Sequence, residues 1–135
     1  MNVTVIDGHG GLIGAQIIKE IVAQFKNIQI TAIGTNAVAT AAMLKAGAKD
    51  AATGENPVIV ACRKADVIIG PIGIVIADSL LGEVTPKMAI AVGQAAATRI
   101  LIPMNKCENL VAGVKDTNTG ALIEDVISKL KSIIK

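Results

Sequence analysis

Residues 2–14 have the sequence Asn-Val-Thr-Val-Ile-Asp-Gly-His-Gly-Gly-Leu-Ile-Gly. Segment 2–6 predicts a short apolar strand, and from Leu12 onward the apolar residues follow helical spacing. A glycine-rich turn between a strand and a helix lets a ligand approach the backbone, and the helix N-terminus offers free N–H groups. The sequence therefore predicts a phosphate- or nucleotide-binding turn. Its candidate binding residues are Gly8, His9, Gly10, Gly11 and Gly14.

The spacing of these glycines is a variant of a dinucleotide-binding fingerprint. The pattern G-x-G-x-x-G ending at Gly14 requires glycine at positions 9 and 11, but position 9 is His9. Counted from Gly8 and Gly10, the spacing is G-x-G-x-x-x-G, which is a looser form. The alternative explanation is an ordinary tight turn in which the glycines only satisfy backbone geometry and packing.

The rest of the chain predicts strands that alternate with helices. Further strands are predicted at 28–33, 49–53, 66–70, 99–104 and 110–114. Helices are predicted at 12–26, 37–45, 72–81 and 122–134, with another through Cys62 and another that begins at Thr85 and Pro86. This alternation predicts a single doubly wound, Rossmann-like α/β domain with a mainly parallel sheet of five to six strands.

Length and charge narrow the classes of function. We expect the 135 residues to form one domain, 1–135, without the substrate domain of a dehydrogenase. A net charge of +2 without a basic run, and a single aromatic residue, Phe25, give no reason to expect nucleic acid or a membrane as partner. The most apolar run, 67–77, is shorter than the ~20 residues that a transmembrane helix needs. Asp7 interrupts the first apolar stretch, so we expect no signal peptide. We expect a cytoplasmic protein.

The apolar content predicts self-association. Hydrophobic residues make up 52% of the chain, and the mean hydropathy is +0.59. Within the predicted helix 72–81, the residues Ile72, Ile74, Val75 and Ile76 form an apolar patch without the polar positions of a surface helix. We therefore expect a homo-oligomer in which part of this patch contacts a second subunit.

Ligands of parallel sheets bind beyond the carboxyl ends of the strands. Polar and glycine residues of this chain concentrate at those predicted ends, although loops collect such residues whatever their function. The candidate cofactor-binding residues outside the glycine turn are Thr35, Asn36, Gly70, Gly73 and Asn105.

The residues at the end of the second predicted strand do not identify the ligand. NAD-dependent proteins place an acidic residue at its end to accept from the ribose hydroxyls, and this chain has Gly34-Thr35-Asn36 there. No arginine nearby would receive the extra phosphate of NADP. The expected partner is a small-molecule nucleotide ligand, and the cofactor stays open between NAD(P) and another nucleotide.

The residues assign no catalytic group, and whether the protein is an enzyme stays open. The chain has no tyrosine and a single histidine, His9, which could contact a phosphate, exchange a proton or simply face solvent. Cys107 follows Lys106 near the ligand edge, but no histidine partner is identifiable in the sequence. Cys62 fits a core position. We expect no metal site, since one histidine and two separated cysteines give no ligand spacing.

Five segments resemble a family of small bacterial proteins known only as a domain of unknown function. These segments are residues 5–14, 32–37, 52–56, 68–79 and 102–105, and together they extend over nearly the whole chain. This resemblance implies no activity, substrate or catalytic residue. The glycine turn is also similar, more distantly, to that of the NAD(P)-binding Rossmann superfamily. The chain departs from the superfamily pattern at His9 and at 34–36, where the acidic residue is missing.

Two further functions are compatible with the same fold. Regulatory Rossmann modules of potassium channels and transporters have about this size and bind nucleotides without reacting them. The Thr53-Gly54-Glu55 stretch is similar to the acidic turn found there. The protein could instead be a small oxidoreductase whose site is completed by a second subunit.

Overall fold

In the computed structural model, which describes residues 1–104, 109–115 and 118–134, strands and helices alternate along the chain. The strands are β1 (Asn2–Asp7), β2 (Gln29–Gly34), β3 (Asp50–Thr53), β4 (Val67–Pro71) and β5 (Thr98–Ile102). The helices are α1 (Leu12–Gln24), α2 (Ala37–Lys45), α3 (Glu55–Lys64), α4 (Pro86–Gln94) and α5 (Thr119–Ile133). A 3-10 turn, Ile72–Val75, follows β4 directly.

The five strands form one parallel sheet in the order β3-β2-β1-β4-β5. Alternate residues of each strand enter two separate cores. One core joins the sheet to α1, α2 and α5 through residues such as Val5, Ile17 and Ile127. The other joins the opposite face to α3 and α4 through residues such as Ile68 and Val92. This arrangement confirms the predicted doubly wound α/β, Rossmann-like fold.

The centre of the sheet is a topological switch point. β1 and β4 are neighbours, but the chain continues from β1 to β2 on one side and from β4 to β5 on the other. In open parallel sheets the crevice beyond the carboxyl ends of two such strands is the usual place for a ligand. The glycine turn follows β1 at this place, and the 3-10 turn follows β4.

The predicted helix at 72–81 is wrong. After the short Ile72–Val75 turn the backbone forms a compact loop, 76–85, in which Asp78, Leu80 and Leu81 all have positive φ. Backbone hydrogen bonds within the loop hold it, such as those from the Asp78 N–H to the Val84 carbonyl and from the Val84 N–H to the Ser79 carbonyl. Leu80 is buried and Leu81 is 95% exposed, so the apolar run has no helical face.

The predicted sixth strand at 110–114 is also absent, and the described residues form five strands. Residues 112 and 113 form a turn, with the Val114 N–H donating to the Val111 carbonyl, and Leu110 is 96% exposed. In contrast, the predicted start of α4 is confirmed. The Thr85 hydroxyl accepts from the Met88 N–H, and Pro86 is the first residue of the helix.

The apolar patch that suggested self-association is only partly solvent-facing. Ile74 is buried, whereas Ile72, Val75 and Ile76 are half-buried. The homo-oligomer therefore stays a prediction, for which sedimentation at micromolar concentration is the measurement. In the described part of the chain, no helix has both the length and the apolar character needed to cross a membrane.

Candidate functional site

The glycine turn is organised by Asp7, the last residue of β1. Its carboxylate is buried and accepts two backbone hydrogen bonds of 2.8 Å, one from the Gly8 N–H and one from the Gly14 N–H. Gly11, the residue before α1, has no side chain with which to cap the helix. Asp7 therefore supplies the cap from the end of the strand. Burial raises the pKa of the Asp7 carboxyl, and the two backbone hydrogen bonds and His9 only partly oppose this.

The glycines of the turn divide into two groups. A Cβ on Gly8 would lie 2.6 Å from Oγ1 of Thr35 and 2.8 Å from Cδ1 of Leu80, so this position requires glycine for close packing. Gly11 and Gly14 are likewise buried, against α2. At Gly10 a Cβ would meet only the Leu12 side chain, at 3.9 Å. Packing thus accounts for Gly8, Gly11 and Gly14, but it gives no reason for glycine at position 10.

A glutamate of the 76–85 loop joins the turn to the end of β2. Oε1 of Glu83 accepts from the His9 N–H at 3.0 Å, from the Thr35 hydroxyl at 2.6 Å and from the Asn36 amide at 2.8 Å. Oε2 lies 3.3 Å from Nδ1 of His9. Burial raises the pKa of Glu83, but the hydrogen bonds from Thr35, His9 and Asn36 outweigh it, and the pKa is lowered overall. Glu83 is therefore a fixed carboxylate at neutral pH.

Asn36 holds this part of the site together. Its side-chain oxygen accepts from the Ala39 N–H at 2.8 Å and caps α2, while its amide nitrogen donates to the His9 carbonyl and to Glu83. The Asn36 side chain therefore both caps α2 and fixes the glycine turn. His9 itself is exposed and has a φ of 50°, a left-handed conformation that is uncommon for residues other than glycine.

The loop is also tied to the N-terminus of α3. The Thr85 hydroxyl, which caps α4, donates to Oε1 of Glu55 at 2.7 Å. Segments that follow β1, β2, β3 and β4 are thus connected at one edge of the sheet through two glutamates, Glu83 and Glu55.

Several backbone donors of the turn remain available. The N–H groups of Gly10, Leu12 and Ile13 have no acceptor among the described residues, whereas those of Gly8, His9, Gly11 and Gly14 have one each. Leu12 and Ile13 begin α1, so their N–H groups lie at the positive end of the helix dipole.

The other sequence-predicted residues are placed differently. Gly70 is buried in β4, where a Cβ would collide with the Ile6 carbonyl, and Gly73 is buried beside Ser79. Close packing therefore accounts for glycine at both positions, against Ile6 and Ile74 at Gly70 and against Ser79 and Leu80 at Gly73. Asn105 and Cys107 lie outside the described residues. Cys62 is buried between α3 and α4, as predicted, and burial raises its pKa to about 11.

Sequence reasoning missed Glu83, which is the centre of the site. A useful signal was present: Glu83 lies between Gly82 and the start signal Thr85-Pro86, in the connection that leaves the central strand β4. In a parallel sheet that connection begins at the ligand edge.

Fold and site together define a parallel α/β protein with a glycine turn and a linked glutamate at its switch point. The chain belongs to the family described as a domain of unknown function (DUF3842), which matches residues 2–135. Among solved structures it is similar to a dodecameric FMN-dependent Ubix-like decarboxylase from Escherichia coli O157:H7, with a TM-score of 0.47 and 10% sequence identity over 97% of this chain and 94% of that chain. No curated protein sequence matches the chain.

Proposed function

We propose that this protein binds a nucleotide at the carboxyl edge of β1, β2 and β4. The observation that carries the proposal is the Glu83 carboxylate, held beside the end of β2 by Thr35 and Asn36. In nucleotide-binding α/β folds an acidic residue at this place accepts hydrogen bonds from the ribose hydroxyls. The end of β2 lacks such an acid in the sequence, and Glu83 brings one from the other half of the fold.

Glu83 retains the capacity to accept a ligand hydroxyl. An ionised carboxylate has about four lone-pair positions on its two oxygens. Oε1 already accepts three hydrogen bonds, whereas Oε2 has only the contact with Nδ1 of His9. We therefore assign the ribose hydroxyls to Oε2.

The phosphate is assigned to the turn itself. The N–H groups of Gly10, Leu12 and Ile13 supply donors at the start of α1, where the helix dipole favours an anion. Gly10 leaves the approach to the backbone open, because no side chain stands there. The Asp7 carboxylate is occupied by the N–H groups of Gly8 and Gly14 and does not compete for these donors.

The proposal is tested by calorimetry or thermal shift with NAD, NADP, FAD, FMN, ATP, AMP and coenzyme A. A ligand specific for the folded protein stabilises it by about 2.7 kcal/mol at a hundredfold excess over Kd. Gly10→Val should abolish this stabilisation by blocking the backbone. Gly93→Val in α4 is the matched control, because a Cβ at Gly93 also meets open space.

Glu83→Gln separates the two halves of the site. It should weaken the binding of nucleotides at least tenfold and have a much smaller effect on inorganic pyrophosphate, which has no ribose hydroxyl to bond Oε2. Glu124→Gln on the exposed face of α5 is its control. The proposal is wrong if no member of the panel binds, or if Gly10→Val binds as tightly as the wild type.

A bound nucleotide would also separate the remaining functional classes. An oxidoreductase turns over its cofactor when given a substrate, and a regulatory module only changes its conformation or its partner. Absorbance of a bound NAD(P) or flavin under reducing conditions measures the first, and size-exclusion chromatography with and without ligand measures the second.

A further inference from the structure

A row of polar side chains crosses the face of the sheet beneath α3. The strand register pairs Thr4 of β1 with Thr31 of β2, and Thr31 with Asp50 of β3. Ile6, two residues after Thr4, belongs to the core on the α3 side, and side chains two apart in a strand share a face. Two hydroxyls and a carboxylate therefore lie side by side on this face.

This row forms the floor of a groove of about 560 Å³. The opposite wall is the side of α3, with Val60, Ala61 and Lys64. Asn2 and Gln29, which begin β1 and β2, also line it. Asn56 and Pro57, in the first turn of α3, line its other end, so the groove runs along the sheet beneath α3 and does not include the glycine turn or Glu83.

The Thr4 hydroxyl is the unusual member of the row. Thr4 is only 2% exposed, and its hydroxyl has no hydrogen-bond partner among the described residues. The other two buried polar side chains of the described chain are both bonded: Asp7 accepts from Gly8 and Gly14, and Ser79 donates to the Gly73 carbonyl. In the described part of the chain, no fully buried side-chain nitrogen or oxygen atom lacks a hydrogen-bond partner. The Thr4 oxygen has no partner and therefore keeps some exposure, which the groove provides.

The Thr4 hydroxyl therefore keeps a free hydrogen-bonding position that opens into the groove, and valine has nearly the same shape as threonine without this hydroxyl. Asp50, at the outer end of the row, forms no ion pair with any described residue. Unsatisfied hydrogen-bonding capacity therefore collects along one side of the groove, while Val60 and Ala61 offer apolar contact on the other.

We propose that this groove is a second small-molecule site, for a neutral polyhydroxylated ligand of the polyol or monosaccharide class. Neighbouring strands are about 4.8 Å apart, so the row offers one oxygen-bearing side chain at each such interval. That spacing suits a ligand with several hydroxyls better than one with a single charged group. Asp50 and Lys64 give the lining no net charge, which favours a neutral ligand.

The test is a titration of the full chain with myo-inositol, glucose and sorbitol. Binding is monitored by amide chemical shifts and by saturation-transfer NMR. Thermal shift is unsuitable, since polyols stabilise most proteins by exclusion from their surface. We expect saturable shifts at Thr4, Thr31 and Val60, without shifts at Gly10. Thr4→Val together with Thr31→Val should weaken binding at least tenfold, and the control Thr98→Val on β5 should not.

Thr4→Val alone should leave the Tm within a few degrees of the wild type without ligand, because the hydroxyl bonds no described residue and valine has nearly the same shape. A folded double variant that binds as the wild type does would overturn the proposal, as would a wild type that shows no saturable shift with any of the three compounds. Shifts produced only by a charged amine such as putrescine would overturn the assigned ligand class. None of these results depends on nucleotide binding at the glycine turn.

Discussion

His9 and Glu83 meet at two points although 74 residues separate them in sequence. The His9 N–H donates to Oε1 of Glu83 at 3.0 Å, and Nδ1 of the imidazole lies 3.3 Å from Oε2. The backbone contact fixes the glycine turn against the 76–85 loop, and the side-chain contact orients the imidazole. The Glu83 carboxylate thus determines the position of both the glycine turn and the imidazole of His9. His9 is the ionisable side chain of this turn that faces solvent, since Asp7 is buried.

Gly8→Ala should destabilise the protein while Gly10→Ala should not. The added Cβ at Gly8 would come within 3 Å of Thr35, Leu80 and Glu83, and overpacking of this kind costs about 1–3 kcal/mol. At Gly10 the nearest atom is 3.9 Å away. Urea denaturation of both variants checks this, and equal unfolding free energies would contradict the described packing of the turn.

Glu83→Gln should destabilise the protein by about 1–2 kcal/mol at pH 7, because hydrogen bonds to a charged group are replaced by weaker ones. The pKa of Glu83 is lowered in the folded state, so the stability that the carboxylate contributes is complete above its ordinary pKa of 4.5. That contribution is lost as the pH falls through the lowered value. Unfolding free energies from pH 3 to 7 should therefore converge for variant and wild type at the acidic end.

For Asp7→Asn, the difference in unfolding free energy from the wild type should change with pH in the opposite direction from that of Glu83→Gln. An asparagine can accept only one of the two N–H groups that Asp7 bonds, which leaves a buried donor unpaired at a cost of about 1–3 kcal/mol. Burial raises the pKa of Asp7 above its ordinary 3.8, so wild-type stability from this group is complete below pH 3.8 and is lost as the pH rises through the raised value. The difference between variant and wild type should narrow with rising pH. A difference that widens above pH 4 would show that Asp7 is stabilised as the ion.

His9→Gly tests whether the histidine serves the fold or a ligand. A left-handed conformation costs a non-glycine residue about 1–2 kcal/mol. Its relief offsets the loss of the exposed contact between Nδ1 of His9 and Glu83, worth at most about 0.2–1 kcal/mol, and the entropic cost of glycine, about 0.5–1 kcal/mol. We expect an unfolding free energy within about 1 kcal/mol of the wild type. A larger loss would assign His9 a structural role, and unchanged nucleotide affinity would remove it from the phosphate site.

Local patterns predicted most of the fold. Helix α2 was predicted at its observed bounds, and the alternation of strands and helices along the chain predicted the parallel sheet. These elements have either a clear apolar periodicity or a defined start, such as Asn36 at α2 and Thr85 at α4. Their side chains cap the helices as their residue types suggest.

The 76–85 loop was not predictable in the same way. Its apolar residues are divided between the core and solvent by tertiary contacts, with Leu80 buried on Gly8 and Leu81 exposed. A helix of ten residues would have carried Glu83 about 15 Å along its axis, away from the strand ends. The wrong helix thus concealed the main residue of the site, and the contact of Glu83 with Thr35 and Asn36 has no signature in local sequence.

Because the site depends on Glu83, it forms late in folding. The hydrogen bonds from Thr35 and Asn36 close chain segments of 48 and 47 residues, and closure of long segments is entropically costly before other contacts form. The strand–helix–strand unit of β1, α1 and β2 contains the whole glycine turn, but without the second half of the chain it lacks the acid. The proposed nucleotide site can therefore form only after both halves have joined, so an affinity measured in the proposed titration would report on the completed chain and not on its first folded unit.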